Sequence, residues 1–486
     1  MCANVRLDGR SLTIDDLIAL ASGRAAVVVD AAALSLVEER HAVLHAALAR
    51  GAVYGANTGV GANRNERTAP GADAGGDSGL DAGGSHALRL LRSHCAGVGP
   101  VEDDLTARAT MVTRLNQILA GGSGISRRVA DALAEALRAG AVPTMHSWGA
   151  IGTADLAALA ELGLTLAGER PWRSGPGPVT TIDPTDALPM ISSSALTVTT
   201  AALALDRMRS QLRASVVVGA LTFLALRGNP EAYDAEVHAA RTHPDQIEVA
   251  AQLRELVTGC ATPARIQDPF GLRVLPQVTA PAVSAGRALH EVVIAELNAA
   301  VENPLVLADG VRHHGQFHTA TLAAHLDAVR GSFLPVLSLS AARLGLLMRP
   351  DLTGLRAFLA DGPAGSSGLM ISEYLVQDLL TEIRVGMQPT AAGTLSISLG
   401  LEEHASFATQ GARSLRTMTR LAPTLLAAEL VAAVRALRMA PGRLTDGTAR
   451  VAFDLAAAVL DDSTDDRPLG DDLTRAAALL PALGDL

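Results

Sequence analysis

Lysine is absent from this chain, since all 40 of its basic residues are arginine. The absence excludes two kinds of site: a lysine Schiff base with pyridoxal phosphate, and a P-loop, whose lysine reaches the nucleotide phosphates. Codon usage alone can account for a chain without lysine, but the exclusion holds whatever the cause.

Aromatic residues and cysteines are also scarce. Phenylalanine, tyrosine and tryptophan make up 2% of the chain, so the core must consist of small aliphatic side chains, which alanine- and leucine-rich runs such as 426–437 supply. Runs of this kind favour closely packed helices. The three cysteines, Cys2, Cys95 and Cys260, are far apart and odd in number, which indicates a reducing compartment and no cysteine metal site.

Positive charge is in deficit, with a net charge of -10 and no basic stripe, so we expect no nucleic-acid partner. No uninterrupted apolar run reaches the roughly 18 residues that a membrane span needs. Asp15 and Asp16 precede the first apolar stretch, which is unlike a signal peptide. These patterns predict a soluble, cytoplasmic protein with no membrane partner.

The chain of 486 residues is 49% hydrophobic and can form a substantial core. Helical spacing runs over 11–50, with Thr13 as the N-cap, and a short strand-like piece follows at 52–55. The stretch 62–85 is rich in glycine and aspartate, which predicts a loop. That loop is either a lid over a site or a solvated connector.

The remainder of the chain has an almost entirely helical pattern. Proline-rich turns predict a boundary near 185 between an N-terminal domain, 1–185, and a central and C-terminal helical bundle, 186–486. The long amphipathic or apolar segments are 187–226, 281–301, 317–348, 366–385, 396–420 and 422–440. The predicted fold is therefore all-α, with a central bundle of long helices and a smaller N-terminal domain.

Six short motifs are spread from Tyr54 to His404. They are Tyr54-Gly55-Ala56-Asn57-Thr58-Gly59-Val60-Gly61; Leu91-Arg92-Ser93-His94; Gly152-Thr153-Ala154-Asp155-Leu156-Ala157; Gln267-Asp268-Pro269-Phe270-Gly271-Leu272-Arg273 with Pro276-Gln277-Val278; Glu296-Leu297-Asn298 through Glu302-Asn303-Pro304-Leu305; and Glu402-Glu403-His404. In this order, they resemble the motifs of the histidine and phenylalanine ammonia-lyase family over nearly the whole chain.

The resemblance implies an almost entirely helical homotetramer whose active sites take residues from three subunits. By matching position, Tyr54 would be the catalytic base, Arg273 the clamp for the substrate carboxylate, and Glu402 an acid-base partner. The residues implied to line the site are His94, Gln267 and Phe317. The Ser93-His94 pair is similar to the histidine-type members, which favours a polar or small substrate.

This chain departs from the family pattern on one side of the site. The self-processing Ala-Ser-Gly triplet, which forms the electrophilic methylidene-imidazolone group, reads Gly152-Thr153-Ala154 here. Dehydration of Thr153 would put a methyl on the electrophilic carbon, and the attacking amide would belong to Ala154, whose Cβ restricts the backbone. Three further positions differ from the family residue, namely Ser192, Phe270 and Gln316.

These departures predict that the prosthetic group is not formed and that the protein has no cofactor and no metal. A simpler interpretation of the triplet is a helix start with Thr153 as the N-cap. His313, His314 and His318 are close in sequence, but no carboxylate or cysteine nearby completes a metal site.

The retained residues also have plainer explanations. A free phenol has a pKa near 10, so Tyr54 could act as a base at neutral pH only if its phenolate were stabilised by roughly 4 kcal/mol. Arg273 could pair with a neighbouring acid, although its fork suits a carboxylate ligand. Glu402 and Glu403 could both be solvated.

The first functional hypothesis is an enzyme of specialised metabolism that lacks the prosthetic group. In it, Tyr54 and Glu402 would move protons for an elimination, conjugate addition or ring closure on an already activated carboxylate substrate, because a general base alone contributes about 10²- to 10⁴-fold. The alternatives are an ammonia-lyase or 2,3-aminomutase with an ethylidene analogue of the group, and a binding protein without activity.

Overall fold

The computed structural model describes residues 3–68 and 85–486, so most of the predicted loop 62–85 lies outside the described residues. The chain is 60% helical and 6% strand, with several long helices. The prediction of an all-α fold built on long helices is confirmed.

The described residues form 18 α-helices. Thr13 is the N-cap of the first, as predicted, because its Oγ1 accepts the Asp16 N–H at 3.1 Å. In chain order the helices are α1 (Ile14–Ala21), α2 (Ala31–Leu48), α3 (His86–His94), α4 (Asp104–Leu119), α5 (Arg127–Arg138), α6 (Leu156–Leu166), α7 (Ala187–Ile191), α8 (Ala195–Ala225), α9 (Ala235–Ala239), α10 (Pro244–Leu256), α11 (Phe270–Arg273), α12 (Leu275–Leu297), α13 (Ala320–Leu347), α14 (Pro350–Thr353), α15 (Ile371–Val385), α16 (Ala408–Met439), α17 (Thr448–Val459) and α18 (Gly470–Gly484).

Short strands in the described part of the chain form three two-stranded sheets. They are β1 (Ala3–Leu7) with β2 (Ala25–Val29), which are parallel, and two antiparallel pairs, β3 (Val98–Val101) with β4 (His146–Trp148) and β5 (Leu305–Leu307) with β6 (Gly310–Arg312). The helix predicted over 11–50 is therefore wrong at its centre, where β2 separates α1 from α2. The run Val27–Val29 is β-branched and pairs with a distant segment, which local periodicity does not reveal.

The segments 396–420 and 422–440 were expected to be separate helices, but α16 runs unbroken through Pro423. Proline removes one backbone donor and costs about 3 kcal/mol inside a helix. The neighbouring Ala422, Leu425 and Leu426 are completely buried, and this packing holds the helix together across the proline.

Contacts divide the chain into two compact groups. The first holds the described residues of Met1–Leu203 with His290–Leu326 and Pro389–Arg413, and the second holds Ala204–Leu289, Asp327–Gln388 and Ser414–Leu486. These groups interleave along the chain, because contacts between distant segments decide them. The domain boundary near 185, between 1–185 and 186–486, stays a prediction.

In the first group, β1 and β2 pack on α4 and α5, while α3, α6 and α7 pack on one another. Arg114 of α4 is completely buried, and its Nη1 donates to Glu302 at 2.7 Å. Its Nε and Nη2 donate to the carbonyls of Met190 (3.1 Å) and Pro189 (2.5 Å). This network fixes the end of α7, immediately before Ser192.

The second group is organised around the buried carboxylate of Glu429 in α16. It accepts hydrogen bonds from Arg343 Nε (2.6 Å) and Nη2 (2.8 Å), from Ser340 Oγ (2.5 Å) and from Thr222 Oγ1 (2.7 Å). A buried carboxylate is tolerated when its oxygens are paired in this way. The donors tie α8 and α13 to α16.

One stretch of the described residues, Ala187–Ala225, is long and apolar enough to cross a membrane by length and composition alone. Its most apolar window is 100% buried within the protein, as in the core helix of a soluble protein. Threonine and serine residues interrupt the stretch, so a search for uninterrupted apolar runs does not find it.

Candidate functional site

The segment that carries Tyr54 is a turn, so the predicted strand at 52–55 is wrong. The side chain of Asn57 accepts the Val53 N–H at 2.7 Å and so closes the turn, a common role of asparagine. Gly55 has φ +69°, and a Cβ there would lie 2.1 Å from Leu188 Cδ2. The backbone therefore fixes where the tyrosine emerges.

Tyr54 is half-buried, and its hydroxyl oxygen accepts the backbone N–H of Gly61 at 2.7 Å. Its ring meets His313 edge-on, with 6.5 Å between the ring centroids. Burial raises the pKa of the Tyr54 phenol above its usual value, Glu402 raises it further, and the Gly61 N–H and Arg64 oppose them. Since burial is the largest of these effects, the phenol is protonated at neutral pH in the free protein.

Glu402 is half-buried at the end of a tight loop rather than on a helix. The loop closes through the Ile397 N–H, which donates to the Glu402 carbonyl at 2.9 Å. Ser398, Leu399 and Gly400 all have positive φ, at 53°, 55° and 84°. A positive φ costs about 1–3 kcal/mol at each non-glycine residue and persists where surrounding contacts hold it.

Gly61 joins the tyrosine turn to the Glu402 loop. A Cβ at this glycine would lie 2.6 Å from Ser398 Oγ and 3.7 Å from Glu402 Oε1. The neighbouring Ala62 N–H donates to Ser398 Oγ at 2.9 Å. The structure thus brings together Tyr54 and Glu402, the two predicted proton-transfer residues.

The triplet Gly152-Thr153-Ala154 has an unusual backbone and unequal hydrogen bonding. Gly152 has φ +83° and Ala154 has φ +112°, a value that disfavours a residue with a Cβ. The Gly152 carbonyl accepts hydrogen bonds from Ser406 Oγ (2.7 Å) and Thr319 Oγ1 (2.9 Å). Within the described residues, the Thr153 hydroxyl and the Ala154 N–H have no hydrogen-bond partner.

The interpretation of Thr153 as a helix N-cap is wrong. Asp155 is the N-cap residue of α6, and its carboxylate bonds elsewhere, accepting the Thr197 N–H and Oγ1–H, both at 2.7 Å. The Asp155 N–H donates to the Ser193 carbonyl at 2.7 Å, so it is not available to the Thr153 hydroxyl. Burial raises the pKa of this fully buried carboxyl to about 6, although Thr197 opposes the shift.

Ser192 is buried at the end of α7, where its Oγ accepts the Asn303 N–H at 3.3 Å. The next residue, Ser193, donates from its hydroxyl to Gln117 Oε1 at 2.5 Å. Because Ser193 also accepts the Asp155 N–H, the Ser192 segment runs beside the residue that follows the triplet. The predicted role of Ser192 in the site stays a prediction.

Three other predicted lining residues also belong to the first group. His94 is half-buried at the end of α3, and its Nδ1 lies 2.9 Å from the Leu90 carbonyl and 3.1 Å from Ser93 Oγ. Gln316 is exposed, while Phe317 is half-buried two residues before Thr319. Their predicted contacts with a substrate stay predictions.

The neighbouring histidines have separate partners rather than a common one. His313 Nε2 accepts the Tyr54 N–H at 3.3 Å, His314 Nε2 lies 2.8 Å from the Glu302 carbonyl, and His318 Nε2 lies 2.9 Å from His404 Nδ1. Burial, and then the proximity of His404, lower the pKa of His318. Among the described residues, no three histidine, cysteine or acidic side chains are placed to hold a metal ion.

The remaining predicted residues, Gln267, Phe270 and Arg273, belong to the second group. Gln267 and Phe270 are exposed, and the guanidinium of Arg273 lies 4.5 Å from the centroid of the Phe270 ring. Arg273 Nε is buried without a hydrogen-bond partner, and no ion pair of Arg273 occurs in the part of the chain that the structure describes. Pairing of Arg273 with an acid is therefore not observed within the described residues of this chain, and its pairing across a subunit interface stays a prediction.

Sequence reasoning missed four residues of this site: Gly61, Thr319, Ser398 and Ser406. Gly61, Ser398 and Ser406 lie inside or within four residues of a motif, whereas Thr319 follows the predicted lining residue Phe317 by two positions. Thr319 and Ser406 are separated by 87 positions, yet their hydroxyls lie 2.9 Å apart. Their meeting point at Gly152 could not be predicted from a single sequence.

Comparisons with known proteins point to the same family. The sequence pattern of the family described as aromatic amino acid lyase matches residues 12–457. A histidine ammonia-lyase from Geobacillus kaustophilus is 32% identical over 457 residues, which cover 88% of this chain and 87% of that protein.

Solved structures agree with this result. The histidine ammonia-lyase of Trypanosoma cruzi is 27% identical, with a TM-score of 0.88 over 99% of this chain and 93% of that chain. The ergothioneine-degrading ergothionase of Treponema denticola has a TM-score of 0.90 over 99% of both chains, and at 22% identity it supports the fold alone.

Proposed function

We propose that this chain, which belongs to the aromatic amino acid lyase family, cleaves the carbon–nitrogen bond of a polar α-amino acid, as an ammonia-lyase or a 2,3-aminomutase. Relatives that match over most of the chain include proteins named histidine ammonia-lyase, so histidine is the first substrate to test. The observation that carries the proposal is the hydroxyl of Tyr54, held by the Gly61 N–H beside the loop of Glu402.

In the proposed reaction, Tyr54 removes a proton from the substrate. Burial keeps its phenol protonated in the free protein, so the phenolate must form once the site is occupied. The ammonium group of an amino acid would supply a positive charge that stabilises phenolate, in addition to the Gly61 N–H. Glu402, which acts on the same phenol electrostatically, can accept the proton that the tyrosine gives up.

Arg273 is proposed to hold the substrate carboxylate. Its guanidinium lies against the Phe270 ring, and its buried Nε has no partner among the described residues. A buried donor without an acceptor is costly, and a carboxylate ligand would satisfy it with two parallel hydrogen bonds. Phe270 would then limit the rotation of the guanidinium.

The residues at 152–154 fit a self-formed prosthetic group of the family type. Ring closure joins the Ala154 nitrogen to the Gly152 carbonyl carbon, and in this chain that nitrogen is unpaired while the carbonyl oxygen has two hydroxyl donors. The group would be held by Gly152, Thr153 and Ala154, with Thr153 giving an ethylidene carbon. When formed, it would supply an electrophilic carbon that activates the substrate.

A second candidate function is an enzyme that lacks the prosthetic group and acts on a substrate that is already activated, as the sequence first suggested. The φ of +112° at Ala154 favours it, because the alanine Cβ resists the backbone rotation that ring closure requires. Tyr54 and Glu402 would then catalyse an elimination, conjugate addition or cyclisation without a cofactor.

The assembly is proposed to be a homotetramer with shared active sites. Several apolar side chains close to site motifs are largely exposed in the single chain, including Ile266 (93%), Phe270 (64%) and Leu399 (96%). In a tetramer these side chains would be buried against neighbouring subunits, which would remove their apolar surface from water. Light scattering on the purified protein measures the assembly directly.

Three measurements test the function. Purified protein is incubated with histidine and a panel of other polar α-amino acids, and released ammonia is measured; Tyr54→Phe should lose most turnover. Arg273→Lys should raise KM more than it lowers kcat, because a lysine cannot make the bidentate contact. Intact mass separates the two candidates, since the self-formed group removes two water molecules and the second candidate leaves the mass unmodified.

Full turnover by Tyr54→Phe would refute the proposed base. As a matched control, Tyr374→Phe removes a hydroxyl from an exposed tyrosine in the second group and should leave the rate unchanged.

A further inference from the structure

The carbonyl oxygen of Gly152 is surrounded by hydrogen-bond donors from two distant segments. Ser406 Oγ lies 2.7 Å from it and Thr319 Oγ1 lies 2.9 Å from it, with the Thr319 N–H more distant at 3.4 Å. Both side chains are buried, with 2% and 3% of their surface exposed. Water is thus replaced around this oxygen by fixed donors.

Each hydroxyl carries one proton, and the contacts indicate where the protons point. The Ala408 N–H donates to Ser406 Oγ at 3.2 Å, so the serine hydroxyl acts as an acceptor there and its own proton is available to Gly152. Thr319 Oγ1 lies 2.9 Å from both the Gly152 oxygen and Ser406 Oγ. It therefore donates to the carbonyl directly or strengthens the bond that Ser406 makes.

A purely structural role would need fewer donors. One hydrogen bond satisfies a buried carbonyl, yet two side chains converge on this one. Two residues further on, the buried Ala154 N–H has no partner among the described residues. The hydrogen-bond donors thus surround the Gly152 oxygen, which would develop negative charge in ring closure. The Ala154 amide, which would attack the Gly152 carbonyl carbon, makes no hydrogen bond to the described residues.

We infer that Ser406 and Thr319 form an oxyanion hole that promotes ring closure between Gly152 and Ala154. This inference rests on the proposed self-formed group and assigns the residues that drive its formation. In the first step, the Ala154 nitrogen bonds to the Gly152 carbonyl carbon, and the electron pair of the broken C–O π bond moves to the oxygen between the two hydroxyls.

The atoms balance without an oxidant. The Gly152 oxygen leaves as water with the amide protons of Ala154 and Thr153, which leaves a carbon–nitrogen double bond in the ring. Thr153 then loses its hydroxyl group and its Cα proton as a second water. Two water molecules are therefore lost in all, and no co-reactant is required.

In the uncyclised chain, the two hydroxyl oxygens lie 2.7 and 2.9 Å from the Gly152 oxygen, and the inference requires that they stay close to this oxygen as it becomes charged. Oxyanion-hole donors act at about 2.7–3.1 Å from the charged oxygen, and removal of one typically slows a reaction about 10²- to 10³-fold. Loss of either hydroxyl should therefore slow ring closure about 100-fold, and loss of both should slow it further.

The test follows ring closure in time by intact mass. The full chain is made by cell-free translation and sampled at intervals, as wild type and as Ser406→Ala, Thr319→Val and Thr319→Ser. We expect the first two variants to remain at the unmodified mass while wild type and Thr319→Ser lose two waters. Thr165→Val is the matched control, because its buried hydroxyl bonds to the Glu161 carbonyl of its own helix.

The outcomes separate this inference from the proposed function. If wild type and both hydroxyl-free variants lose water at the same rate, the oxyanion hole is refuted while the self-formed group stands. If wild type never loses water, both are refuted. Circular dichroism and size-exclusion chromatography check folding, and if Ser406→Ala does not fold, the Thr319→Val and Thr319→Ser pair decides the question.

Discussion

Replacing Gly152 by alanine would restore the residue that begins the family triplet, yet the structure predicts that it destabilises this chain. A Cβ at this position would lie 2.1 Å from Ser406 Oγ and 2.7 Å from the Ala408 nitrogen, and Gly152 has φ +83°. Ser406 would have to turn away and lose its bond to the Gly152 carbonyl, and the backbone at Ala408 would have to shift.

The separate contributions can be added. The positive φ costs alanine about 1–2 kcal/mol, the lost hydrogen bond about 1 kcal/mol and the overpacking about 1–3 kcal/mol, while the stiffer unfolded chain returns about 0.4–1 kcal/mol. The expected loss in the free energy of unfolding is therefore about 2–6 kcal/mol. Equilibrium unfolding in urea measures it.

Gly23→Ala is the matched control for this prediction. Gly23 has a similar φ of +74° but has no atom within 4 Å of an added Cβ, so the substitution adds backbone strain without a clash. It should cost about 0–1.6 kcal/mol. If Gly152→Ala is as stable as Gly23→Ala, the close packing of Ser406 and Ala408 around the triplet is refuted.

Three further predictions concern charged and titrating groups. Arg114→Met should lower the free energy of unfolding in urea by about 3–5 kcal/mol, because it leaves the buried Glu302 carboxylate without its ion-pair partner. The double variant with Glu302→Leu should recover most of this free energy, and no recovery would contradict the prediction. Because the pKa of Tyr54 is raised, turnover measured as initial rates should increase from pH 7 to 9. Arg64 lowers this pKa, so Arg64→Gln should shift the increase in turnover to higher pH. Coincident pH profiles for wild type and Arg64→Gln would contradict this prediction. Because the pKa of Asp155 is raised in the folded protein, the protonated carboxyl stabilises the fold at pH values below the pKa that Asp155 has in the unfolded chain. This contribution of about 3 kcal/mol is lost as the pH rises through about 6. The urea midpoint of wild type should therefore fall over this pH range, whereas that of Asp155→Asn should lack this fall.

Local signals in the sequence predicted where α1 begins, because the Thr13 side chain caps it, but they did not predict where it ends. They failed where packing with distant residues decided the outcome. The strand β2 exists because β1 pairs with it, and α16 continues through Pro423 because its neighbours are buried. Neither partner is visible in the local pattern.

The site was predicted to a similar extent. Motif matching located the Tyr54 turn, the Glu402 loop, the triplet and Arg273, because each motif is a continuous segment. It could not reveal the hydroxyls of Thr319 and Ser406, since these become neighbours only when two segments far apart in sequence fold onto Gly152. It also misjudged Thr153 as a cap, because the side-chain bonds of Asp155 to Thr197 are nonlocal.

Gly61 has a consequence for how accurately the acid-base pair is positioned. One backbone amide receives the oxygen of Tyr54, and the same residue lies against Ser398 in the turn that ends at Glu402. A displacement of either segment must therefore carry the other with it. The relative placement of phenol and carboxylate is set by main-chain geometry, which varies less with temperature than the rotation of two long side chains would.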